Sequence, residues 1–254
     1  MKLFKTVFIF IALATIVCLF ASCGLFTNEP QKKSEVQKET TTEQKETKND
    51  TEIHYEISYK NVASWINTIG IMRIQVIAEI TNTGEIPIYL STSSYDLEDS
   101  NGQIIASKQL VSTYPDVIEP GEKGYLYDET SLDNIVYGQI TVVPRISAKK
   151  ATVSCIRYES SEISISDTNY YGPKIVGRIT NSTDKDETGL IYVVAILYSN
   201  NNIPIGVLTD VITDDFPKGA RIGFEATTLS MPDTITSNSI ASYKIYAYPV
   251  QYQF

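Results

Sequence analysis

Val76-Ile-Ala-Glu-Ile-Thr-Asn-Thr83 returns as Ile175-Val-Gly-Arg-Ile-Thr-Asn-Ser182, 99 residues later. In both copies large apolar side chains alternate with other residues, so one face of an extended strand is apolar: Val76 and Ile80 in the first, Ile175 and Ile179 in the second. Ala78 and Gly177 put a small residue at the middle of that face each time. The alternation extends back to Ile74 in the first copy.

Other short runs rich in Ile, Val, Thr and Tyr are separated by turn residues, and no stretch of helical period stands out. Asn101-Gly102 after Asp99-Ser100 is a hairpin turn signal, and Pro120-Gly121 and Pro217-Lys-Gly219 mark further turns. Ile191 to Tyr198 is continuously apolar and reads as a central strand covered on both faces. The expected fold class is all-β.

The repeat extends beyond the strand. Ile88-Tyr89 and Tyr95 align with Ile191-Tyr192 and Tyr198 at a spacing of 103. Pro120 to Leu132 aligns with Pro217 to Leu229 at a spacing of 97, placing Tyr127 on Phe224 as an inward aromatic and Leu132 on Leu229. Units of about 100 residues built of strands and turns have the size of one β-sandwich. Two tandem sandwiches are therefore expected at residues 53–150 and 151–254, joined at the polar stretch Ser147-Ala-Lys-Lys150.

At these residues the chain resembles the FxLYD-type immunoglobulin-like domains of bacterial surface lipoproteins. Val176-Gly-Arg-Ile-Thr-Asn-Ser182 follows the family's apolar-Gly-x-apolar-x-Asn strand, and Ala195-Ile-Leu-Tyr-Ser199 occupies the naming motif. Phe216-Pro-Lys-Gly219 and Phe224-Glu-Ala-Thr227 match its turn and following strand. The first copy keeps only Tyr95-Asp96 of the motif. The resemblance implies an immunoglobulin-like fold and an extracytoplasmic address, and carries no activity.

The N-terminus supports that address. Lys2 and Lys5 precede an apolar run from Val7 to Phe20, followed by small Ala21 and Ser22 and then Cys23, the order of a secretory signal. The run falls short of the roughly 20 residues of a membrane-spanning helix. Leu19-Phe20-Ala21-Ser22-Cys23 resembles a bacterial lipobox, with Phe20 where the family usually has Leu. Residues 1–22 are then a signal peptide, and Cys23 is the lipidated first residue of the mature chain. Two acyl chains at about 0.8 kcal/mol per buried methylene anchor stably to a membrane. Residues 23–52 are polar apart from a few side chains, too poor in apolar groups to fold, and form a tether spanning roughly 30 Å.

Composition excludes several classes. A net charge of −9 with no basic cluster argues against nucleic acid. Cys18 leaves with the signal and Cys23 is acylated, so Cys155 has no partner for an internal disulfide and reads as a small buried hydrophobe. His54, the one histidine, sits at the tether's edge, which removes histidine triads and paired-histidine metal sites. Ser147-Ala-Lys-Lys150 fits Ser-x-x-Lys in form, without the helix start or companion motifs that chemistry needs. No enzyme activity and no cofactor are expected.

Asp96, Glu98 and Asp99, the loop acids Asp184, Asp186 and Glu187, and Asp214-Asp215 read as solvated turn acids, with calcium binding kept as the alternative. Tyr170 and Tyr171, in Asn169-Tyr-Tyr-Gly172, are candidates for a ligand or partner surface. The row Tyr246, Tyr248, Val250, Tyr252 and Phe254 reads as sandwich core in preference to an exposed sugar-stacking row. Trp65 is expected to plug the first core. The functional expectation is a membrane-anchored, non-catalytic binding or scaffold module for an envelope protein or cell-wall glycan. The alternative is a small-ligand or calcium-binding accessory of an envelope machine.

Overall fold

The burial of Asn82 and Asn181, both at 0% exposure, explains why Ile-Thr-Asn occurs twice. In a computed structural model, which describes residues 52–153, 155–168 and 172–251, each asparagine sits at the end of a strand or one residue past it and clamps two loops. The Asn82 amide donates to the carbonyls of Ile86 (2.9 Å) and Ile118 (3.2 Å), and its carbonyl oxygen accepts from the Gly84 amide. Asn181 repeats the pattern with Lys185 (2.9 Å), Phe216 (2.8 Å) and the Thr183 amide. A buried amide must be paired on both its ends, and few other residue types meet that demand.

The described residues are all-β and antiparallel, with a single 3₁₀ turn at Ser237–Ser239. The first half contains β1 (Tyr55–Ile66), β2 (Met72–Asn82), β3 (Ile88–Glu98), β4 (Ile104–Val111), β5 (Thr113–Tyr114), β6 (Val117–Ile118), β7 (Lys123–Leu132) and β8 (Thr141–Lys150). The second contains β9 (Glu159–Asp167), β10 (Pro173–Thr180), β11 (Ile191–Tyr198), β12 (Pro204–Ile212), β13 (Arg221–Ala226) and β14 (Ser242–Pro249). In the first half β1-β2-β7-β5 form one sheet, and β3 lies between β4 and β8 in the other, with β6 also on β3. The second half repeats both orders as β9-β10-β13 and β12-β11-β14. The described residues fall in one compact unit.

Each half has its own core between its two sheets. Ile74, Val76, Ala78 and Ile80 of β2 meet Ile88, Leu90, Tyr95 and Leu97 of β3. Ile175 and Ile179 of β10 meet Ile191, Val193, Ala195 and Leu197 of β11. The inward faces read from the alternation are therefore the buried ones.

Register corrects the repeat in two places. Gly121 and Gly219, at φ 78° and 75°, each donate to the clamp asparagine's carbonyl at 2.8 Å, which sets the spacing at 98, not 97. Leu126, opposite Ala78, is then the counterpart of Phe224, opposite Gly177. A one-residue slip moves a side chain to the other sheet face. Tyr127 accordingly points away from the core, and Leu229 is exposed at 84% instead of matching Leu132. The pairs exchange volume: a Cβ on Gly177 would overlap Ile163 and come within 2.9 Å of the Phe224 ring, whereas Ala78 faces the smaller Leu126.

The second correction concerns β3, eleven residues long against eight for β11. A register shift against β8 falls between Ser91 and Ser94 and inserts one extra residue in β3. Past it, the Asp99–Gln103 turn matches Ser199–Ile203 bond for bond, a spacing of 100. Ala195, not Tyr198, is thus the counterpart of Tyr95.

Three other expectations change. Ser147–Lys150 belongs to β8, where the Ser147 hydroxyl meets that of Ser91 at 2.7 Å, so the change of half falls after Lys150. Trp65 lies half-buried on the edge strand β1, opposite Arg73 and outside the core, because the inward positions there are Val62, Ser64 and Ile66. Cys155 is half-buried, and burial pushes its thiol up to about 11.

Candidate functional site at the junction of the halves

The continuous apolar run of β11 has its explanation on the outer face. Tyr192, Val194, Ile196 and Tyr198 join Val207 of β12 and Tyr246 and Tyr248 of β14 in a third apolar cluster, closed by Tyr114, Tyr125 and Tyr127 of the first half. The outer face of β7 and β2 is therefore covered by the second half, and Gln75, Ile77 and Glu79 are buried as well as their inward neighbours. Removing a large buried apolar side chain costs about 3–5 kcal/mol, so this cluster fixes the two halves against one another. Tyr246 and Tyr248 lie neither in the second core nor on an exposed row, since the alternate residues Ile245 and Ala247 face the core. Tyr252 and Phe254 fall outside the described residues.

Polar contacts tie the junction along its length. The hydroxyls of Tyr125 and Tyr198 meet at 2.5 Å, and Tyr246 donates to the Lys123 carbonyl at 3.3 Å. Glu129 of β7 accepts from the hydroxyls of Tyr127 and Thr228 and from the Ser230 amide at 3.0 Å. Its carboxyl is raised from the usual value, chiefly by burial, with those donors opposing the shift. Burial likewise raises the hydroxyls of Tyr125, Tyr127, Tyr246 and Tyr248 and keeps them neutral.

The connecting segment is pinned too. Arg157 donates to the Val117 carbonyl at 2.5 Å, pairs with Glu122 at 3.2 Å and lies 5.5 Å from the Tyr248 ring centre. One residue on, Tyr158 enters the second core and meets Phe216 edge to face at 5.1 Å.

Two clefts flank this junction. A groove of about 440 Å³ runs between Leu110, Asp128 and Glu129 on one side and Val207, Thr228 and Leu229 on the other. Leu110 sits in a bulge of β4: Ser93 faces Val111 and Tyr95 faces Lys108, and Leu110 takes φ 58° with 79% of its surface exposed. Asp128 accepts from the Tyr95 hydroxyl at 2.6 Å, so both groove carboxylates already serve as acceptors within the protein. Ser112 and Tyr114 separate the groove from a second pocket of about 240 Å³, lined by tyrosines and Asp116.

The residues singled out in the sequence do not converge here. Asp184 and Asp186 are exposed, and Asp186 accepts from the Lys218 amide at 2.8 Å. Glu187 accepts from the Gly189 amide at 2.8 Å and from the Tyr158 hydroxyl at 3.4 Å. Asp96 is buried against Arg145 and the Ser107 hydroxyl, and Asp99 closes its own turn through the amides of Asn101 and Gln103. Among the described residues no three acidic, histidine or cysteine side chains gather to hold a metal ion. Cys23, Tyr170 and Tyr171 lie outside the described residues, as does the run Val7–Phe20. Within the described residues no helix is long and apolar enough to cross a membrane. No family model matches the chain, and no characterised protein is significantly similar to it.

The junction's own residues escaped sequence reasoning. The unbroken apolar run of β11 signalled a second covering layer without saying what supplies it. Asp116, Glu129 and Leu110 are singled out by no motif, and Leu229 entered only as the repeat partner of Leu132.

Proposed function

We propose that this chain is a lipid-anchored, extracytoplasmic contact protein, held to the membrane through Cys23. Residues 53–150 and 151–254 then form two immunoglobulin-like sandwiches of FxLYD type, carried as one body on the tether 23–52. The hairpin register supports that reading for the first half. It lays Tyr95-Asp-Leu-Glu-Asp99 over Ala195-Ile-Leu-Tyr-Ser199, so the first aromatic, the leucine and the aspartate of the naming motif are occupied in the first copy, with Glu98 in place of its tyrosine.

The observation that carries the contact role is the groove that exists only where the two halves meet, edged by the exposed Leu110 and Leu229. Its carboxylates are already engaged, which suits holding a partner better than turning one over. Beside it, β4 pairs only with β3 among the described residues and leaves one edge free there, a feature that extended protein segments recognise by strand addition. An envelope protein therefore fits the groove better than a cell-wall glycan.

A photo-crosslinking residue at Leu110 on intact cells tests this. A discrete protein adduct is expected, absent when the same group is placed at Ser91 on the polar outer face of β3. Adducts limited to lipid and abundant neighbours would count against the reading. Cys23→Ser tests the anchor separately, by release of the chain from the membrane or its failure to be processed.

A further inference from the structure

The second pocket differs from the groove in chemistry and carries an assignment of its own. Its wall includes Tyr89, Tyr114 and Asp116 from the first half and Tyr192, Tyr248 and Gln251 from the second. Three of the rings touch in series: Tyr114 meets Tyr192 edge to face at 6.2 Å, and Tyr192 meets Tyr248 at 6.0 Å. Two polar atoms of this wall are buried without a hydrogen-bond partner, the Tyr248 hydroxyl and the Gln251 side-chain carbonyl. Tyr248 is 2% exposed. Buried polar groups in folded proteins are paired, and an orphan in a pocket wall points to a molecule that completes it.

What is missing is a donor. Gln251 Oε1 only accepts, and a hydroxyl does either. The Asp116 carboxyl is raised mainly by burial, opposed by the amides of Asp116 and Val117 and by the nearby Arg157. Arg157 itself is committed to Glu122 and the Val117 carbonyl, so no side-chain cation forms an ion pair with Asp116 among the described residues. Tyrosine rings attract a cation over their faces through the ring quadrupole.

We propose that this pocket is a recognition site for an alkylammonium group, caged by the rings of Tyr89, Tyr114, Tyr192 and Tyr248 with Asp116 as counter-ion. The ammonium hydrogens complete Gln251 Oε1 and the Tyr248 hydroxyl. Such a group is either a lysine side chain of a partner or a free amine. The site depends on the closed junction and is independent of both Cys23 and the Leu110 groove.

Saturation-transfer NMR and calorimetric titration on the full chain, purified in a choline-free maltoside detergent, test it. Nα-acetyl-lysine methylamide should bind saturably, and its norleucine counterpart, which lacks the charge, should not. Asp116→Asn, which keeps an acceptor for the backbone amides, should weaken binding at least tenfold. Tyr248→Phe should weaken it severalfold. Lysine amide binding without n-butylamine binding marks a peptide-borne ammonium, and n-butylamine binding as tight or tighter marks a free amine; either outcome upholds the ammonium assignment. Choline, whose nitrogen carries no hydrogen to donate, should bind more weakly than the lysine amide, and equal or tighter choline binding would overturn the donor role. Equal binding of the norleucine compound, no binding of either amine, or an unchanged Asp116→Asn variant would overturn the assignment. Because the probes need no cells and no anchor, this result stands apart from crosslinking at Leu110.

Discussion

β3 and β11 occupy the same place in their halves, and their outer faces are opposites. β3 turns Ser91, Ser94, Asp96 and Glu98 outward, whereas β11 turns Tyr192, Val194, Ile196 and Tyr198. By the hairpin register the counterpart of Ile196 is Asp96, which is bonded to Arg145 across the sheet. Inward, both strands obey one rule. The inner face answers to the fold and the outer face to the neighbour, and in this chain only β11 has one.

The largest test of that contrast is alkaline pH. Tyr125, Tyr127, Tyr246 and Tyr248 are raised above the ordinary value of 10.0 in the folded state. Their contribution is complete below pH 10 and is lost as pH rises from there toward the folded values. Each costs about 1.4 kcal/mol per pH unit over that window. Tyrosine absorbance and circular dichroism followed together above pH 10 should show ionisation coupled to loss of structure, and Tyr125→Phe should make the pH slope shallower by one proton.

Next comes Ile196→Asp, which gives β11 the residue its counterpart already carries. An unpaired charge in the junction should cost about 3–5 kcal/mol, and small-angle scattering should show the halves parting while both cores persist. Ser91→Asp, on the free face of β3, should stay within about 0.5 kcal/mol.

Asn82→Ala and Asn181→Ala should each cost about 2–4 kcal/mol through orphaned loop carbonyls and a lost acceptor. Chemical denaturation should find the two effects alike. A large inequality would break the equivalence of the clamps.

Smallest of the core changes is Gly177→Ala, at about 1–3 kcal/mol from crowding against Ile163 and Phe224. Adding Phe224→Leu reproduces the Ala78 and Leu126 pair and should recover much of the loss. Failure to recover it in thermal melts would reopen the 98-residue register.

Those experiments also mark how far the sequence could be read. Ile-Thr-Asn and the alternation around Val76 and Ile175 were legible because a buried strand face and a buried amide each restrict residue choice. The slip from 98 to 97 was not, since neighbouring positions 126 and 127 are both apolar enough to be inward when β7 is covered on both faces. For the same reason Tyr246 and Tyr248 looked like core or exposed row: a sequence shows that a side is apolar, not what presses on it. Trp65 misled in the opposite direction, its size suggesting a core that Val62 of the same strand serves instead. The candidate site was the least legible part, because its walls come from strands far apart in the chain and no spacing connects Asp116 to Tyr248.

The docked faces are unlike, β2–β7 of one half against β11–β14 of the other. Such a head-to-tail contact is not self-complementary and, repeated, would build a ring or a filament. What remains free on the first half is the face bearing Asp96–Arg145. On the second it is the outer side of β9, β10 and β13, held by Lys174–Glu225 and by Glu162 between Arg178 and Arg221. Charges on both outermost faces work against a third unit adding to either end of the pair.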